Sequence, residues 1–166
     1  MSRAFVKEND LEHAGIDVPE RPISAEKNYV TPDGLMELKE KISNLEEERK
    51  KSSLTTDSIN KQKKLQLERD LRYFIKRLES AILVNPDDQD KNKVLFSAFV
   101  RVENELGEIL NFQIVGEDEA NVKENKIAYN SPLAKALIGN ALDEEVVWMK
   151  PSGNEILTIV NIKYEL

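Results

Sequence analysis

Helical periodicity dominates the first half of the chain. Two apolar stripes recur at spacings of three and four residues, as in the seam of a coiled coil. Between them, residues 52–58 are rich in Ser, Thr and Asp, which favour turns and helix caps. We therefore predict two helices that pair antiparallel across a short turn. The first stripe is Leu35, Leu38, Ile42 and Leu45, and the second is Leu67, Leu71, Phe74 or Ile75, Leu78 and Ile82.

Residues at the predicted helix ends support these two helices. Thr31 offers a capping hydroxyl, and Pro32 follows where its missing N–H does no harm, so the first helix should begin here. The pair Asn85-Pro86 should stop the second helix. At about 1.5 Å per residue, the first helix would span roughly 30 Å and the second roughly 40 Å.

After residue 93 the apolar period changes from helical to alternating. We predict strands over 95–103, 109–115, 145–150 and 155–164, with a short helix that Ser131 and Pro132 open and Gly139 ends. The chain should therefore be α+β, with a helical hairpin followed by an antiparallel sheet and a short helix. The predicted divisions are an extended arm (1–30), the hairpin (31–85), a polar linker (86–93) and a C-terminal domain (94–166).

Charge divides the chain in the same way. The formal net charge is −7, but residues 37–80 carry 12 basic and 9 acidic side chains, whereas residues 81–166 carry 8 basic and 15 acidic ones. An acidic protein of this kind is not expected to bind membranes or to recognise a DNA sequence by itself. Either the two regions contact different partner surfaces, or their charged side chains only face solvent.

The amino-acid composition argues against several classes of enzyme. The chain has no cysteine and one histidine, which leaves thiolate, zinc, haem and Ser-His chemistry without the usual residues. The N-terminal segment does not resemble a secretion signal, and no apolar stretch approaches the roughly 20 residues of a membrane span. We expect a cytoplasmic, monomeric protein that is not an autonomous enzyme and has no cofactor of its own.

Three segments resemble those of one known family. Residues 114–121 (IVGEDEAN) and 130–139 (NSPLAKALIG) closely resemble matching segments of the GreA and GreB transcript cleavage factors, and residues 28–35 (NYVTPDGL) resemble the start of the Gre coiled coil. The resemblance covers roughly residues 28–166. It implies an FKBP-like C-terminal domain without isomerase activity, which docks on the rim of the secondary channel of RNA polymerase while the coiled coil enters the channel.

The resemblance also implies which residues contact core RNA polymerase. These residues form an acidic loop and a turn: Glu117, Asp118, Glu119, Ser131 and Pro132. The alternative is that the turn residues only shape the chain and the acids are solvated. Neighbouring acids of this kind rarely converge on one ion without further ligands, so we expect no metal site here.

The residues at the predicted hairpin tip bear on whether the protein can stimulate RNA cleavage by the polymerase. In Gre factors, acids at the tip are thought to help hold a second Mg²⁺ in the polymerase active site, and the family tip carries an Asp, two intervening residues and then Glu-Asn. The nearest match here, Asp57-Ser58-Ile59-Asn60, replaces the second acid with an amide. Asp57 is then a helix cap, a metal-handling acid or a polymerase contact. Nearby lysines either contact nascent RNA or the channel or face solvent: Lys50, Lys51, Lys61, Lys63 and Lys64.

Three hypotheses follow from the incomplete tip. The leading one is a polymerase-binding factor that modulates elongation, pausing or initiation, with weak or lost stimulation of the polymerase's own RNA cleavage. The second is a fully active cleavage factor. The third is a coiled-coil interaction protein that no longer acts on polymerase.

Overall fold

The computed structural model describes residues 18–54 and 58–166. It contains three helices, two short 3₁₀ helices and seven strands within these ranges. None of the described helices is long and apolar enough to cross a membrane. The helices are α1 (Pro32–Ser52), α2 (Ser58–Glu79) and α3 (Pro132–Leu137). The strands are β1 (Tyr29–Val30), β2 (Ile82–Leu83), β3 (Phe99–Asn104), β4 (Ile109–Val115), β5 (Lys126–Ala128), β6 (Glu145–Lys150) and β7 (Gly153–Lys163). The predicted α+β class is confirmed.

The chain forms two compact units. The first contains Glu40–Glu79 with the described part of Met1–Ala25, and the second contains Glu26–Lys39 and Ser80–Leu166. This division differs from the boundaries that the sequence suggests, because the start of α1 belongs with the C-terminal residues. The predicted linker also contains a 3₁₀ helix, Pro86–Asp88.

In the first unit, the predicted apolar stripes form a small core. Leu45, Leu67 and Leu71 are buried, and Ile42 and Phe74 pack against them. Burial of one stripe per helix is what holds a hairpin of two marginal helices together.

The described part of the N-terminal arm contacts α2. The Arg21 guanidinium lies 3.9 Å from the ring centre of Tyr73 and 3.6 Å from the Asp70 carboxylate, and Glu20 forms an ion pair with Arg72. Residues 1–17 of the predicted arm lie outside the described residues.

The second helix is shorter than predicted. It ends at Glu79, so its 22 residues span about 33 Å rather than 40 Å. Ile82 was expected in the helical stripe, but it belongs to β2, which pairs in parallel with β1, and its side chain is 43% exposed. The backbone explains the change, because Ile82 N donates to Asn28 O at 2.8 Å and Val84 N to Val30 O at 3.0 Å.

The second unit is built on a five-stranded sheet in the order β5-β4-β3-β7-β6. All neighbours are antiparallel except β4 and β5, which are parallel, so the sheet is mixed rather than antiparallel as predicted. β5 is only three residues long and gave no pattern in the sequence. One face packs on α3 to form the main core: Val100, Val102, Ile114, Leu157 and Ile159 from the sheet, and Leu133, Ala134 and Leu137 from the helix.

Candidate functional site

The structure brings together the acidic loop and the Ser-Pro turn that the family resemblance singles out. Asn130 Nδ2 donates to Glu117 Oε1 at 2.6 Å. The parallel pairing of β4 with β5 creates this proximity, since Tyr129 N continues it by donating to Val115 O at 2.9 Å. We call residues 116–118 and 130–132 the motif surface. The loop and the turn, whose bonded residues are 13 positions apart in the chain, therefore form one continuous feature.

Ser131 and Pro132 shape one side of the motif surface. The Ser131 hydroxyl accepts from Ala134 N at 3.3 Å and caps α3, with Pro132 in the first turn, as predicted. Pro132 is exposed, whereas Leu133 and Ala134 behind it are buried in the core. The turn thus presents Pro132 outward on a firmly anchored helix end.

Gly116 shapes the other side, and the reason is a close approach of the backbone. A Cβ at this position would overlap the carbonyl oxygen of Tyr29 in β1. The Tyr29 ring in turn contacts those of Phe96 and Tyr129, with centroids 5.8 and 5.4 Å away. The Tyr129 hydroxyl donates to Lys27 O at 2.6 Å. These aromatic contacts tie the loop, β1 and the segment before Asn130 into one rigid support.

Of the three acids in the loop, Glu119 does not lie on the surface. Its side chain is buried, and its Oε2 accepts a 2.6 Å hydrogen bond from the Thr31 hydroxyl at the start of α1. Thr31 also caps α1 as predicted, since its hydroxyl accepts from Gly34 N at 2.9 Å. A Cβ on Gly34 would overlap Glu119 Oε2, so a larger residue here would displace the carboxylate from its present position. The alternative of a merely solvated acid is therefore wrong for Glu119.

Burial raises the pKa of Glu119, although the Thr31 hydrogen bond and Lys126 act in the opposite direction. Lys126 Nζ lies 3.9 Å from Glu119 Oε1, 3.7 Å from Glu37 Oε1 and 3.4 Å from Glu124 Oε2. Burial lowers the pKa of Lys126, but these carboxylates outweigh it and the pKa is raised. The arrangement joins Glu119 of the loop to the N-terminal part of α1 through charge as well as hydrogen bonding.

Sequence reasoning missed this junction of Thr31, Gly34 and Glu119. One signal was available, because glycine inside the first turn of a helix costs about 1 kcal/mol relative to alanine and is retained where something approaches closely. The remaining surface acids, Glu117 and Asp118, are half-buried.

At the hairpin tip, Asp57 lies outside the described residues. Asn60 is half-buried near the start of α2, whose first turn contains no acid, and the last turn of α1 holds Arg49, Lys50 and Lys51. Lys50, Lys51, Lys61 and Lys63 are exposed and Lys64 is half-buried. The described residues contain no cluster of three or more His, Cys, Asp or Glu side chains suited to a metal ion.

Comparison with known proteins gives consistent matches. The family model "Transcription elongation factor, GreA/GreB, C-term" matches residues 89–164. Transcription elongation factor GreB of Haemophilus influenzae is 35% identical over 156 residues, which cover 85% of this chain and 99% of the relative. GreB of Pseudomonas aeruginosa is 42% identical over 94 residues, which cover 57% of this chain and only 56% of the relative. A solved GreA/GreB structure from Nitrosomonas europaea is 21% identical, with a TM-score of 0.42 over 83% of this chain and all of that one.

Proposed function

Because the chain belongs to the GreA/GreB family of transcription elongation factors, we propose that it binds core RNA polymerase at the secondary channel and modulates elongation, pausing or initiation. In this proposal the motif surface is the docking site, and the helical hairpin enters the channel. The protein acts as an accessory factor, so any RNA cleavage would be the polymerase's own reaction with its own Mg²⁺.

The observation that carries the proposal is the hydrogen bond between Glu117 and Asn130. It holds the acidic loop against the Ser131-Pro132 turn, so both family motifs present one surface. Charge-assisted hydrogen bonds of this kind fix geometry well. Glu117, Asp118 and Pro132 are the side chains that we propose for direct contact, while Ser131 holds the turn and Glu119 supports the loop from inside.

Replacing Asn130 with Asp tests the docking site. The new carboxylate would face Glu117 and repel it, so the loop and turn should separate locally. We expect the affinity for core polymerase to fall by about tenfold, a typical loss when an interface geometry is broken. The matched control is Asn154→Asp, the same change at an exposed position near the start of β7 in the same unit. Equal affinity of both variants, with unchanged melting temperatures, would exclude the motif surface as the docking site.

The tip determines which activity follows binding, and the charges support weak or absent stimulation of cleavage. A second Mg²⁺ needs carboxylates nearby, whereas the described helix ends at the tip carry mainly cations. In backtracked complexes, the wild-type protein should bind polymerase but leave transcript cleavage near its unstimulated rate. Asn60→Glu restores the family's second acid and should increase cleavage, whereas Asn60→Gln should not.

The two other hypotheses predict different outcomes in the same experiment. Robust cleavage by the wild-type protein would establish a fully active cleavage factor and show that the match of Asp57 and Asn60 to the family tip is misplaced. Failure of the wild-type protein to bind core polymerase at all would favour an interaction protein with another partner.

A further inference from the structure

A cleft of about 410 Å³ lies on the second unit, and none of its lining residues belongs to the motif surface. It lies on the sheet face opposite the core, because Val100 and Val102 are buried against α3 whereas Phe99 and Arg101 alternate with them. Strand register arranges its lining in two rows across β4, β3 and β7. The rows are Asn111-Arg101-Asn161 and Gln113-Phe99-Lys163.

The two cations in these rows lack carboxylate partners. Among the described residues, no carboxylate lies within ion-pair distance of Arg101 or Lys163. Arg101 Nε donates to Asn111 Oδ1 at 3.0 Å, which fixes the guanidinium and leaves its terminal N–H groups for another acceptor. Two acids also line the cleft: Glu124, which pairs with Lys126 at 3.4 Å, and Glu165, which is not within ion-pair distance of either cation.

We propose that this cleft binds an extended acidic polypeptide segment, with carboxylates at alternate positions. Arg101 and Lys163 are diagonal neighbours on adjacent strands, which places their Cα atoms roughly 7–8 Å apart. Side chains two residues apart on one face of an extended chain are separated by about 6.7 Å, so two such carboxylates match the two cations. The amides of Asn111, Gln113 and Asn161 can both donate to and accept from the backbone of the segment.

The charge of the surrounding domain favours a peptide over a nucleic acid. Residues 81–166 carry 15 acidic and 8 basic side chains, so a phosphate backbone would be repelled beyond these two cations. By contrast, an acidic peptide with only two carboxylates would place both of its negative charges next to Arg101 and Lys163. This site is independent of the docking surface proposed above, since none of its lining residues belongs to that surface.

The test is fluorescence anisotropy with the full chain and a fluorescein-labelled peptide that alternates Asp and Val and contains two Asp residues. The comparison peptides replace Asp with Asn, or place the same Asp residues side by side. We expect the alternating peptide to bind most tightly, and Arg101→Gln with Lys163→Gln to weaken it by about tenfold. The control, Lys91→Gln with Lys93→Gln, removes the same charge from exposed positions outside the cleft and should change binding by less than about twofold.

Three results would overturn the proposal. One is no peptide binding at millimolar concentration, and another is equal weakening by the two double variants. The third is binding of single-stranded oligouridine RNA, lost in the Arg101 and Lys163 variant, without binding of the alternating peptide. Because the assay contains no polymerase, failure here leaves the proposed function unaffected.

Discussion

Ser97 illustrates how a single residue can be held in an unfavourable state. It is buried with φ of 70°, and its hydroxyl has no hydrogen-bond partner among the described residues. A left-handed conformation costs a non-glycine residue about 1–2 kcal/mol, and a buried unsatisfied hydroxyl adds to that cost. This conformation also explains why β3 begins at Phe99 and not at Leu95 as predicted.

Ser97→Gly should therefore stabilise the protein by roughly 0.5–1 kcal/mol, after allowing for the greater entropy of glycine in the unfolded chain. Ser97→Ala removes the unsatisfied hydroxyl but keeps the backbone strain, so it should stabilise less. Urea unfolding of both variants checks this order. If glycine were the less stable of the two, backbone strain would not be the main cost at this position.

Glu119 links stability to pH. Because burial raises its pKa, the folded state binds this proton more tightly than the unfolded chain does. The contribution of Glu119 to stability should therefore fall as pH rises from the unfolded pKa, 4.5, through the raised folded pKa.

Glu119→Gln removes this titration and keeps a side-chain oxygen for Thr31. It should be at least as stable as the wild type at pH 7, and lose that advantage as the pH falls toward 4.5. Urea unfolding between pH 4.5 and 7.5 measures the difference, with the exposed Glu105→Gln as control. A variant that is markedly less stable at pH 7 would mean that the Lys126 interaction outweighs burial.

At the scale of elements, the arm segment that contacts α2 is a stabilising part of the first unit. Arg21 stacks on Tyr73, lies 5.0 Å from the Phe74 ring centre and pairs with Asp70. Stacking by a partly exposed guanidinium contributes about 0.5–1 kcal/mol.

Arg21→Ala should lower the free energy of unfolding by about 1 kcal/mol and speed hydrogen exchange of the backbone amides around Tyr73. Arg21→Lys keeps the charge without the planar stacking group, so it should give an intermediate loss. Thermal unfolding and hydrogen-exchange measurements on the wild type and the two variants check this order. No change in either measurement would show that this contact is incidental.

Elements with a strong local pattern could be predicted from the sequence, and those fixed by distant partners could not. β4 and β6 have the predicted bounds because their alternation is regular, and Ser131 caps α3 as its sequence indicates. The end of α2 was misplaced because pairing of Ile82 with Tyr29 competes with the helix. Likewise, the loop and turn motifs were visible in the sequence, but the burial of Glu119 depends on Thr31 and Gly34, which lie more than 80 residues away.

At the scale of the whole molecule, residues 37–80 carry a net positive charge and residues 81–166 a net negative charge, as expected if they contact different partner surfaces. Residues 37–80, which form most of the hairpin, carry 12 basic and 9 acidic side chains in a protein of net charge −7. In the proposed function, the exposed lysines near the tip would contact RNA or acidic walls inside polymerase.

Lys61→Gln with Lys63→Gln should weaken polymerase binding by about threefold to tenfold at low salt, and by less at high salt as the charges are screened. The control, Lys91→Gln with Lys93→Gln, changes the net charge equally and should have little effect. Titration of labelled protein with core polymerase at two salt concentrations measures both. Identical behaviour of the two double variants would identify the tip lysines as ordinary solvated side chains.

The pairing of β1 with β2 has a consequence for synthesis on the ribosome. Residues 26–39 belong to the second unit but are made first, and their partners begin only at Ser80. While the hairpin residues 40–79 emerge, β1 lacks its partner β2 and the Thr31 hydroxyl lacks its acceptor Glu119, because neither has yet been translated. Completion of the second unit must therefore wait for the C-terminal half, whereas the hairpin can begin to pair as soon as Glu79 has left the exit tunnel.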